Sequence, residues 1–138
     1  MTEPTYQLRP VGWVESPLTD RDRAPKQGDE GAPPARVVWR PEVREAAADL
    51  EVGQEVLVLT WLHQGDRDVV AVHPRGDSER LRQGVFSTRS ADRPNPVGLH
   101  AVTIVGVEDD AITVRDLEAI DGTPVLDVKP VLGPIHER

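Results

Sequence analysis

The stretch "STRSADRPNPVGLHAV", residues 87–102, gathers the side chains best suited to gripping an anion. Arg89 and Arg93 carry planar guanidinium forks that match a carboxylate or phosphate. Pro94 and Pro96 fix φ and supply no N–H, and they push Arg93 and Asn95 into extended backbone. Such a turn loses little entropy on ordering, so it can hold side chains in place before a ligand arrives. Gly98 allows close approach of another backbone or of a ligand. A rigid surface turn whose arginines pair with Asp92 and nearby acids accounts for the same residues, and taken alone they leave both readings open.

Other routes to chemistry are narrower. No cysteine occurs, which excludes disulfides, thiolate zinc sites, iron–sulfur ligands and a cysteine nucleophile. His63, His73, His100 and His136 lack close metal-ligand spacing, so no metal is expected. Ser87, His63 and Asp121 make a nucleophile–base–acid set on paper, but no elbow motif stands behind them. No Walker loop and no dinucleotide-binding glycine motif is present. The net charge of −8 argues against broad nonspecific nucleic-acid binding. Between Arg75 and Arg93, however, five arginines face only Asp77, Glu79 and Asp92, a local excess of positive charge that could mark an anion site. A solvated loop of mixed charges explains that excess too.

These residues must be held by some scaffold. A chain of 138 residues fits one domain with one core, and the N-terminus carries no secretory signal, so a cytoplasmic location is expected. Tyr6–Glu15 reads as a first strand. Residues 19–34, "TDRDRAPKQGDEGAPP", read as a polar loop of a length that is usually functional or disordered. Arg36–Trp39 reads as a short strand. Pro41 suits the first helical position, and Val43, Ala46, Ala47 and Leu50 form one apolar stripe on a short helix ended near Gly53. Glu55–His63 is apolar on both faces, as a central or barrel strand would be. Val69–His73, Val97–Val107, Ala111–Asp116 and Val125–Val131 read as further strands, with "EDD" at residues 108–110 as a turn. Six or seven closely spaced strands and one helix predict a mainly β fold, an antiparallel or mixed barrel.

Taken together, "GVFSTRSADRPNPVGL" and "LEAIDGTPVLDVKP" resemble the signature of the TsaA-like family, the TrmO-type tRNA methyltransferases. "VGWVESP", "PKQG" and "WLHQ" match further blocks of that family in the same order, so the resemblance runs from about Gly12 to Pro130. It implies a small all-β barrel that binds S-adenosylmethionine outside any Rossmann architecture, and a homodimer with the ligand near the subunit interface. Longer relatives carry a C-terminal domain, and residues 1–138 are expected to form a single TsaA-like domain without it. The departures are Lys26, where the family often has arginine, and Glu118-Ala119, where Asp-Leu is more usual.

Carried over residue by residue, the resemblance puts S-adenosylmethionine contacts on Pro25, Lys26 and Gln27 in the polar loop and on His63 and Gln64 after the central strand. It continues them at Arg89 and Leu99 around the turn, and at Glu118, Ala119, Ile120 and Asp121 before Gly-Thr-Pro. The implied reaction is N6-methylation of threonylcarbamoyladenosine beside the anticodon of tRNA. It is expected to run by direct in-line transfer without a covalent enzyme intermediate. His63 and Asp121 are then candidates to take the acceptor's proton, and Arg93 and Asn95 to hold the acceptor or its phosphate. A methyltransferase for a small molecule and a nonenzymatic S-adenosylmethionine-binding regulatory module are the alternatives.

Overall fold

The computed structural model describes residues 3–19, 32–73 and 81–133. Six antiparallel strands close into a barrel: β1 (Gly12–Glu15), β2 (Ala35–Trp39), β3 (Glu55–Trp61), β6 (Val97–Val107), β7 (Ala111–Arg115) and β8 (Pro124–Pro130). Their order around the barrel is β1-β2-β7-β6-β3-β8, and β8 pairs back onto β1. β4 (Ala71–Val72) and β5 (Gln83–Gly84) form a separate two-stranded ribbon in the long β3–β6 connection.

Alternation along the strands builds the interior. Val37 on β2, Val56 and Val58 on β3, Val102 and Ile104 on β6, and Ile112 and Val114 on β7 point inward and are buried. β-branched side chains fit this pleated, crowded surface. On the outward face of β3 and β6, Leu59 stands opposite Leu99 and Trp61 opposite Val97. This outer face is therefore apolar while remaining partly exposed.

The expected barrel is thus observed, with local corrections. Tyr6 and Leu8 are exposed, and the first strand begins only at Gly12, where pairing with β2 and β8 starts. The third strand ends at Trp61 rather than His63. The Val69–His73 strand shrinks to two residues outside the barrel. The expected helix is a 3₁₀ turn over Pro41–Ala47, bonded from Val43 N to Arg40 O and from Ala48 N to Glu45 O. A segment this short cannot sustain an α-helix by propensity, so packing of Val43, Ala47 and Leu50 on the core decides its form, and Ala46 is left exposed. Glu42 lies in its first turn. Its carboxyl is held below the ordinary carboxylate range by its own backbone N–H and then by Arg40. That contribution is present at neutral pH and is lost as pH falls through the lowered value. Among the described residues no helix is long and apolar enough to cross a membrane.

Candidate functional site

The cationic turn is built around one of its own arginines. After the ribbon the chain makes a single 3₁₀ turn at Val85–Ser87, then a loop whose carbonyls have no sheet partner. Arg93 fills that need. Its Nη2 donates to Val85 O at 2.9 Å, and its Nη1 donates to Thr88 O and Ser90 O, both at 3.0 Å. Hydroxyls complete the loop: Ser90 N donates to Thr88 Oγ1 at 3.2 Å and Asp92 N to Ser90 Oγ at 3.1 Å. The planar fork reaches three carbonyls at once, which an ammonium could not do. Arg93 therefore shapes the turn from within, while Arg89 and Asn95 remain on the exposed side.

A second loop locks onto the first. Leu62 N, just past β3, donates to Pro96 O at 2.7 Å, and Gly65 N closes a turn on Leu62 O at 2.8 Å. Gly65 is required there, because a Cβ would run into the carbonyl of Ala91. Asp66 N donates to Asp92 Oδ1 at 2.9 Å. Arg67 then donates through Nε to Pro94 O at 2.7 Å and through Nη2 to Asn95 Oδ1 at 2.8 Å, with its guanidinium 5.2 Å from the centre of the Trp61 ring. That contact fixes which end of the Asn95 amide faces outward: Oδ1 is taken, and the two Nδ2 protons are left as donors. His63 and Gln64 sit exposed at the tip of this second loop. Sequence reasoning missed Arg67. The cue was available in its place after a Gln-Gly-Asp turn and six residues beyond Trp61.

Arg89 and Leu99, both implicated by resemblance, are joined directly: Arg89 Nη1 donates to Leu99 O at 3.3 Å. Leu99 is on the outward face of β6, and its neighbour His100 points inward. His100 Nδ1 lies 2.6 Å from Glu118 Oε1, and Nε2 lies 2.7 Å from Thr60 Oγ1. Glu118 comes from the connection between β7 and β8. The next two residues, Ala119 and Ile120, are buried in the core. Asp121 opens a tight turn with Gly122 at φ 80°. It is tied to the exit of β1: Ser16 N donates to Asp121 Oδ1 at 3.0 Å, and Asp121 N donates to Leu18 O at 2.6 Å. Pro25, Lys26, Gln27 and His136 lie outside the described residues.

The residues present suit S-adenosylmethionine. Glu118 is a mostly buried carboxylate, 18% exposed, with one oxygen engaged by His100 and Oε2 remaining as an acceptor for an ammonium or ribose hydroxyls. Arg89 brings a positive charge suited to the ligand's carboxylate, and Leu99 an apolar surface.

A probable S-adenosyl-L-methionine-binding protein of Methanothermobacter thermautotrophicus is 42% identical over 130 residues, covering 94% of this chain and 93% of the relative. An S-adenosyl-L-methionine-binding protein of Archaeoglobus fulgidus is 38% identical over 122 residues, covering 88% and 86%. The crystal structure of TrmO from Pseudomonas aeruginosa superposes with a TM-score of 0.69 at 27% identity, covering 94% of this chain and 57% of that one. The chain spans about half the length of the solved structures it matches. Residues 13–135 match the tRNA-methyltransferase O N-terminal domain. With that match over most of its length and relatives that share more than a third of its residues, the chain belongs to the tRNA-methyltransferase O N-terminal domain family.

Proposed function

We propose that this chain is an S-adenosylmethionine-dependent methyltransferase that modifies tRNA, with N6 of threonylcarbamoyladenosine beside the anticodon as the acceptor. The observation that carries the reading is the interlocking of two loops. Leu62, Asp66 and Arg67 hold the His63–Gln64 tip against the Asp92–Pro96 turn, and Arg89, just before that turn, is bonded to Leu99. Family membership and the names of the relatives support the ligand.

S-adenosylmethionine supplies a methyl already activated on a sulfonium. The chain's own residues then bind and orient. Holding acceptor and donor in line can lower a barrier by roughly 7–11 kcal/mol in favourable cases. Arg89 and Glu118 grip the charged parts of the donor. Asn95, aligned by Arg67, offers its amide N–H groups to the acceptor. The acceptor nitrogen must lose its proton as the new N–C bond forms and the S–C bond breaks. We assign His63 and Asp121 Oδ2 as the candidates to take that proton, directly or through water.

A homodimer belongs to this reading. Its support is the apolar outer face of β3 and β6, where Leu99 is 42% and Val97 38% exposed beside the proposed site. Light scattering at micromolar concentration is expected to give twice the chain mass. An active monomer would sink the dimer.

Incubation with labelled S-adenosylmethionine should place methyl into tRNA that carries the threonylcarbamoyl group, and not into tRNA that lacks it. Arg89→Ala and Asp121→Ala should bind S-adenosylmethionine at least about tenfold more weakly while staying folded, because hydrogen bonds to charged groups are worth roughly 1.5–3 kcal/mol. Binding without transfer to any tRNA would point to a small acceptor or a regulatory module. Unchanged binding in both variants would mean the site is misplaced.

A further inference from the structure

A line of three polar side chains crosses one end of the otherwise apolar barrel, and no role given above uses its middle member. His100 lies on the inward face of β6 and is 4% exposed. Its Nδ1–H donates to Glu118 Oε1 at 2.6 Å. On the other side its Nε2 is 2.7 Å from Thr60 Oγ1, and Thr60 is fully buried. With a neutral ring in this tautomer, the Thr60 hydroxyl donates to Nε2.

Polar groups are costly inside a core unless each is partnered, and here each is. The next inward positions of the same strand, Val102 and Ile104, show that this strand packs apolar side chains without difficulty. The backbone around the network is also adapted to it. Gly98 leaves the space in which the Thr60 hydroxyl and the imidazole meet. The register between β3 and β8 shifts between Leu59 and Thr60. Bulges of that kind re-aim side chains beside functional sites.

The order hydroxyl–imidazole–carboxylate matches that of a hydrolase, but the direction of access is reversed. Thr60, the would-be nucleophile, is at the sealed end. The Glu118 side chain is 18% exposed against 3% for His100, so the network opens to solvent at the carboxylate. A glutamate has one more side-chain torsion than an aspartate, and so one more to fix.

We propose that His100, backed by Thr60, is a positioning residue that holds Glu118 in one rotamer and presents Oε2 to a cationic or hydroxyl-bearing group of S-adenosylmethionine. This rests on the reading that Glu118 belongs to that ligand's site. Fixing the carboxylate before the ligand arrives lowers the ordering cost of binding.

Calorimetric titration with S-adenosylmethionine tests it in a double-mutant cycle. His100→Ala should weaken binding about tenfold, the scale of coupling between members of one hydrogen-bond network. His100→Asn, which keeps a short N–H donor, should recover part of the loss. In a Glu118→Ala background, His100→Ala should make no further difference. The proposal is overturned if folded His100→Ala binds like wild type, or if its loss persists undiminished without Glu118. If the wild-type protein does not bind at all, the assignment of the ligand falls, and the positioning role falls with it. Should His100→Ala fail to fold, the Nδ1 proton resonance of His100 in the wild-type protein decides. It should shift on saturation with S-adenosylmethionine, and an unmoved resonance overturns the proposal.

Discussion

Gly98→Ala should destabilise the protein by about 1–3 kcal/mol, the usual scale of overpacking in a filled interior. The added Cβ would fall on the Thr60 hydroxyl, 2.6 Å from His100 Nε2 and 3.1 Å from Leu62 Cδ2. Two terms oppose each other. Glycine in a strand interior ordinarily costs about 0.5–1 kcal/mol relative to alanine, so the substitution would help where space allowed. Here the methyl displaces two buried side chains from each other, and a buried polar group left unpartnered costs about 1–3 kcal/mol by itself. The second effect wins. Gly106→Ala is the control on the same strand: its Cβ would sit 3.4 Å from Thr113 Cβ, an ordinary contact. Urea unfolding should separate the pair, with Gly106→Ala within about 1 kcal/mol of wild type. Equal midpoints for both variants would mean that the network yields without cost.

Arg93→Ala should cost about 2–4 kcal/mol. Each of its three bonds joins a charged donor to a carbonyl, a type worth roughly 1.5–3 kcal/mol, but the three share one half-buried guanidinium and cannot add fully. Arg93→Lys keeps the charge and loses the fork, so it should recover less than half. Loss of the clamp also frees the loop that carries Arg89, so ligand binding should fall with stability. Asn95→Ala should behave differently. It lies on the exposed side of the same turn and gives up only an exposed bond from Arg67, so the variant should unfold within about 1 kcal/mol of wild type while losing methyl transfer. Thermal melts paired with calorimetry check both. An Arg93→Ala protein as stable as wild type would remove the clamp from the account.

The contrast between Arg93 and Asn95 shows where the sequence is legible. The strands could be read because inward β-branched residues alternate with half-exposed ones, and Val97–Val107 is found with the expected bounds. The rigid turn was legible in Pro94 and Pro96. The use of its arginine was not, because one-dimensional spacing does not say whether a guanidinium faces solvent or its own loop's carbonyls. His100 was visible only as one of four scattered histidines. Its partners Thr60 and Glu118 are 40 and 18 residues away and meet only because β3 pairs with β6 and the β7–β8 connection folds over the barrel end. The extent of Tyr6–Glu15 was misjudged for a related reason: apolar residues without a neighbouring strand do not make a strand.

Closure of the barrel restricts how this molecule can associate. Each of the six strands has a neighbour on both sides, but not along its whole length: β6 meets β7 only from Thr103 onward and β8 meets β1 only at Pro124 and Val125, so residues 97–102 and 127–130 are paired, among the described residues, with β3 alone. Strand addition, the common route to amyloid and to swapped sheets, is thereby limited to those two short edges. The ribbon of β4 and β5 has open edges, but at two residues per strand it is too short to nucleate a sheet. Away from those edges, a second copy would meet side chains standing off the outer wall. Association of that kind is adjusted by single surface substitutions and leaves the hydrogen-bonded scaffold untouched.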